Sequence, residues 1–126
     1  MQIFNGSMLI NFSNHPLSQW SDKQINVAKK LYGEIIDFPF PLVDPTGDEL
    51  YIKRLADFFF SKMQREHSAD RPTIHIMGEM TFVYEMVKRL HKCGYECIAS
   101  TTNRVVSVRS DGVKESSFEF VRFRTY

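Results

Sequence analysis

Three short runs in this 126-residue chain carry the side chains suited to chemistry: Ser13-Asn14-His15, Gly78-Glu79-Met80-Thr81, and Ser100-Thr101-Thr102 with Arg104 close behind. An imidazole on a loop, as at His15, takes or gives a proton near neutral pH. The guanidinium of Arg104 suits a phosphate, and the hydroxyls and backbone amides of the other positions suit its oxygens. Glu79 has the group for general acid–base work. Each position also has a plainer reading. His15 can be a solvent-facing or loop-stapling ring, Glu79 an acidic residue placed on a helix dipole, and Thr81 a cap. Ser100, Thr101 and Thr102 can be turn formers. His75 lies inside a strand and reads as a hydrogen-bonded core or subunit-contact histidine. His67 and His91 sit at helix ends, where a cation suits the dipole.

The elements that must position these groups follow from periodicity and turn residues. Met8–Phe12 reads as a short strand stopped by Pro16, and Glu34–Phe38 as a second one closed by Pro39 and Pro41. Between them, Ser21 or Asp22 caps a helix to about Tyr32, with Ile25, Ala28, Leu31 and Tyr32 on its apolar face and Gly33 as its C-cap. A long helix from about Asp48 to Glu66 draws its buried face from Leu50, Leu55, Phe58, Phe59 and Met63. Thr73–Met77 is a strand running through Gly78 into a third helix, Glu79 to Leu90, ended by Gly94. Glu96–Ser100 is a fourth strand, with Ser100 to Arg104 at its end. Period-two alternation at Val106, Val108, Phe118, Phe120 and Phe123 around Ser110-Asp111-Gly112 gives a C-terminal β-hairpin. Arg122 and Arg124 alternate with its phenylalanines, as on an exposed strand with a buried back.

The resulting order, βαβαβαβ plus a hairpin, predicts a small Rossmann-like, doubly wound parallel sheet of the α/β class. A strand order of 2-1-3-4 would put the first two runs at adjacent strand ends, with the third next door, where such sheets bind ligands.

Composition narrows the function. Residues 8–126 form one domain, with Met1–Ser7 expected as a leader outside it. Hydrophobic content of 43% and charged content of 25% fit a globular protein, and a formal charge of +1 disfavours binding along duplex nucleic acid. No G-x-G-x-x-G run marks a dinucleotide, and no ligand spacing marks a metal, so neither cofactor nor metal is expected. Cys93 and Cys97 read as reduced thiols of a cytoplasmic protein, and no apolar run is long enough for a membrane helix.

The opening strand with Ser13-Asn14-His15-Pro16 and Trp20, the Gly78-Glu79-Met80-Thr81 turn, and Ser100-Thr101-Thr102-Asn103-Arg104 resemble small CRISPR-associated proteins of the ring nuclease type. That resemblance implies a cytoplasmic homodimer that binds and cleaves a cyclic oligoadenylate second messenger. The implied chemistry is metal-independent attack of a ribose 2′-hydroxyl on the adjacent phosphorus. His15 and Arg104 would then be catalytic, with Ser13, Asn14, Gly78, Glu79, Met80, Thr81, Ser100, Thr101 and Thr102 holding the ligand. Two other readings stand beside it. One is a sensor or sink that binds the same ligand without cutting it. The other is an interaction protein that pairs its C-terminal hairpin with a partner.

Overall fold

A computed structural model describes residues 8–126, and the expected leader lies outside the described residues. The elements run β1 (Met8–Ser13), α1 (Asp22–Tyr32), β2 (Glu34–Asp37), α2 (Glu49–His67), β3 (Thr73–Met77), α3 (Met80–Lys92), β4 (Cys97–Val108) and β5 (Lys114–Thr125). A single turn of 3-10 helix, Leu17–Gln19, joins β1 to α1. The five strands form one sheet in the order β2-β1-β3-β4-β5. The first three pairings are parallel and the last is antiparallel. This is an α/β chain with a mostly parallel sheet.

Strand alternation divides the core into two halves. Ile10, Phe12, Ile74 and Ile76 turn toward α2 and α3, where Phe38, Met63, Phe82, Met86 and Leu90 close around them. Leu9 and Ile98 turn the other way and pack with Trp20, Ala28, Phe120 and Phe123 under α1. Phe12 meets the rings of Phe38, Phe40, Phe59 and Phe82 at centroid distances of 5.0–5.9 Å. Edge-on and tilted geometries of this kind add to what burial alone contributes.

Helix ends follow their capping chemistry. Ser21 accepts from the Gln24 amide at the start of α1, and Asp48 accepts from Tyr51 at the start of α2. Two parts of the expected apolar faces are corrected. Leu50 and Phe58 are 52% and 58% exposed, and Leu31 is exposed as well. The buried stripe of α2 is instead Ile52, Ala56 and Met63 with Phe59 partly covered, an i, i+4, i+7, i+11 track that leaves Leu50 and Phe58 beside it.

The larger correction concerns β4. The strand does not end at Ser100 but runs on to Val108, because β5 supplies a ladder partner at nearly every step after β3 has ended. The turn at residues 110–112 forms as expected, and Gly112 takes φ of 84° there. Beyond Thr101 the two strands form an exposed arm. A bulge sets it apart from the sheet: Thr101 pairs with Arg122 while Thr102 pairs with Phe120, leaving Val121 as the extra residue. That insertion lets Phe120 and Phe123, three positions apart, both bury against α1.

Candidate functional site

The parallel registers set a row of polar side chains across the sheet. Asn11 is in register with Asp37 on one side and with His75 on the other, and His75 is in register with Ile98, two residues before Ser100. All face α1, on the side opposite Ile10 and Phe12. Asn11 Nδ2 donates to Asp37 Oδ1 at 2.9 Å and to the His15 carbonyl at 2.8 Å. Asn11 Oδ1 lies 2.9 Å from His75 Nδ1 and accepts from Ser13 Oγ at 2.7 Å. His75 Nε2 lies 2.7 Å from Ser100 Oγ, which also accepts from Gln24 Nε2 at 2.9 Å. His75 is 2% exposed, with the rings of Trp20 and Phe123 against it. Burial first, and the nearby His15 second, push its pKa down to about 4.

His15 is held out at the end of β1. Its carbonyl accepts from Asn11 Nδ2, Ser13 Oγ and Trp20 Nε1, and the amide of Asn14 donates to the Met77 carbonyl of β3. Both oxygens of Asp37 accept from the Leu17 amide, which fixes the next turn. The ring of His15 is exposed, with Nδ1 3.3 Å from Gln19 Oε1. Its chain neighbours Asn14 and Pro16 line a cleft of about 400 Å³ together with Ser13, Asp37 and Phe40. A second, apolar cleft of about 360 Å³ opens at the end of β3 between Met77, Met80, Tyr84 and Tyr126.

The three runs from the sequence are therefore disposed differently. Ser13, Asn14, His15 and Ser100 gather around one polar network. Gly78 to Thr81 lies at the start of α3, but Glu79 itself caps that helix, accepting from the Phe82 amide at 2.8 Å and from the Thr81 hydroxyl at 2.5 Å. Those two bonds, the Thr81 one foremost, hold the Glu79 carboxyl below the usual range, so a carboxylate occupies the place an anion would take. Met80 is 82% exposed on the rim of the apolar cleft. Thr101 Oγ1 is engaged with the backbone of Arg122 at the bulge. Thr102 and Arg104 are exposed on the arm, and Arg104 stands roughly 13 Å along the strand from Ser100 at about 3.3 Å per residue.

Sequence reasoning passed over Asn11, Gln24 and Asp37 and set His75 aside as structural. The signal was present in β1, where Leu9, Asn11 and Ser13 alternate with Ile10 and Phe12. An apolar strand that is polar at every second position on one face has a polar network to join.

Fold and site together define an α/β protein with a polar network at the carboxyl ends of its central strands. The chain belongs to the family described as the Uncharacterized protein MJ1673 family, whose model matches residues 7–124. No curated protein matches it.

Proposed function

We propose that this chain is a ring nuclease: it binds a cyclic oligoadenylate at the carboxyl ends of β1, β3 and β4 and cleaves it without a metal. The sheet is read as a small Rossmann-like, doubly wound one, whose ligand crevice lies where strand order reverses between β1 and β3. The observation that carries the reading is the presentation of His15. Its ring is exposed on a loop whose residues Asn14 and Pro16 line a cleft of about 400 Å³, while Asn11 Nδ2, Trp20 Nε1 and the shared Ser13 hydroxyl proton hold its carbonyl. A loop fixed so firmly places a proton-transfer group with little ordering left to do.

Cleavage by a ribose 2′-hydroxyl asks the protein for alignment and proton transfer, because the substrate supplies its own nucleophile. His15 exchanges the proton, and Ser13, Asn14 and Ser100 align the ribose-phosphate. Arg104 stands too far along the arm to share this crevice within one chain. In a homodimer it reaches the ring from the second protomer, which matches a two-fold ligand to a two-fold protein. In a cytoplasmic setting the activity ends type III CRISPR signalling.

The test is incubation of the purified protein, in chelator, with labelled cyclic tri-, tetra- and hexa-adenylate, alongside His15→Ala and Arg104→Ala. Linear products from the wild type that fall at least tenfold in His15→Ala support the reading. Tight binding with intact ligand makes the protein a sensor or sink. Neither binding nor cleavage refutes the assignment.

A further inference from the structure

The direction of every hydrogen bond in the buried row follows from its two ends. The Asp37 carboxylate and the His15 carbonyl only accept, so the nitrogen of the Asn11 amide faces them. Its oxygen therefore faces Ser13 and His75, and His75 Nδ1 carries the ring proton. Because burial keeps the ring neutral at pH 7, Nε2 is bare and takes the proton of the Ser100 hydroxyl. Gln24 donates into one lone pair of Ser100 Oγ. Ser100 is half-buried, and among the described residues nothing else donates to its oxygen.

We propose that Ser100 and His75 form the proton-accepting pair of the site, Ser100 touching the substrate's attacking hydroxyl and His75 acting through it. The inference rests on the reading above, in which a ribose 2′-hydroxyl is the nucleophile. As the 2′-oxygen bonds to phosphorus, its proton passes to Ser100 Oγ while the proton of Ser100 passes to His75 Nε2. The bond from phosphorus to the 5′-oxygen breaks, that oxygen takes a proton from the His15 ring, which regains one from water, and the His75 imidazolium passes its proton back through Ser100 Oγ to solvent. Asn11 Oδ1 holds Nδ1–H throughout, with the Asp37 carboxylate behind it. The titratable groups facing the ring are thus Asp37 through Asn11, on the β2 side, and His15 from the loop. The rings of Trp20 and Phe123 cover its remaining sides.

The pair is tested by steady-state cleavage of labelled cyclic oligoadenylate in chelator by wild type, Ser100→Ala, Ser100→Thr and His75→Gln, each first checked for a folded melting transition. Ser100→Ala is expected to lose roughly a hundredfold in kcat, the scale of a general-base contribution, with KM within about threefold, and Ser100→Thr to recover most of it. The acid limb of the wild-type kcat profile is expected near pH 4, and His75→Gln to abolish that limb. Wild-type cleavage with Ser100→Ala unimpaired, or an acid limb at about 6.5 as for an ordinary imidazole, overturns this inference and leaves the nuclease reading in place. Absence of cleavage by the wild type overturns both.

Discussion

Acidification unloads the fold through His75. Its ring titrates at about 4 in the folded protein against an ordinary 6.5, so the unfolded chain binds the proton more readily. The stability contributed by the neutral buried ring is complete above 6.5 and is lost as pH falls toward 4. At about 1.4 kcal/mol per pH unit, the whole gap corresponds to about 3 kcal/mol, most of which is gone by pH 4.5. Urea unfolding of wild type and His75→Gln at pH 8 and pH 4.5 isolates this, because titrations not coupled to the ring cancel in the double difference. The advantage of wild type over the variant is expected to shrink by about 2–3 kcal/mol, or roughly 8 °C in Tm for a chain of this size. Equal losses in the two proteins would mean that the ring protonates in place. The buried row would then not be sealed, and the tautomer derived from it would be wrong.

Three further outcomes are expected. Phe12→Ala empties the centre of a four-ring contact and is expected to cost about 3–5 kcal/mol by urea unfolding. Gly78→Ala would set a methyl 2.3 Å from the Phe40 ring, so the ring must leave its place against Phe12 and Phe82; a loss of about 1–3 kcal/mol is expected in the same assay. Ser21→Ala removes the acceptor of the Gln24 amide and is expected to lower stability by about 1 kcal/mol, with Tm as the readout.

Much of the architecture was written locally. Pro16, Gly33, Pro39 and Gly94 punctuate the chain where elements change, and the order 2-1-3-4, which sequence reasoning entertained as a condition, is the one the sheet adopts. The extent of β4 was not legible, because Thr101 to Val108 stay extended only through pairing with residues far along the chain. The exposure of Leu50 and Phe58 was missed for a related reason: a helix rich in apolar residues offers more than one stripe, and the sheet it meets selects among them. Ser13, Asn14 and His15 were visible as a polar loop beside a strand end. Their link to His75 and Ser100 was invisible, since it depends on the registers of three strands. Sequence reasoning weighed Glu79 as an acid–base group against a carboxylate on the helix dipole and gave the cap to Thr81; in the structure Glu79 is the N-cap and the Thr81 hydroxyl donates to it.

The chain has a single tryptophan, and it stands at the junction of all these parts. The indole N–H of Trp20 holds the His15 carbonyl, while its ring meets His75 edge-on at 4.9 Å between centroids and lies 6.0 Å from Phe123. Its emission therefore comes from one chromophore whose neighbours are the loop, the buried imidazole and the root of the arm. An imidazolium accepts an electron from excited indole far more readily than neutral imidazole does, so charging His75 dims that emission. Release of the loop reddens it by admitting water. Intensity and wavelength thus separate two events in unlabelled protein, and a stopped-flow mixing experiment can time each of them in the same cuvette.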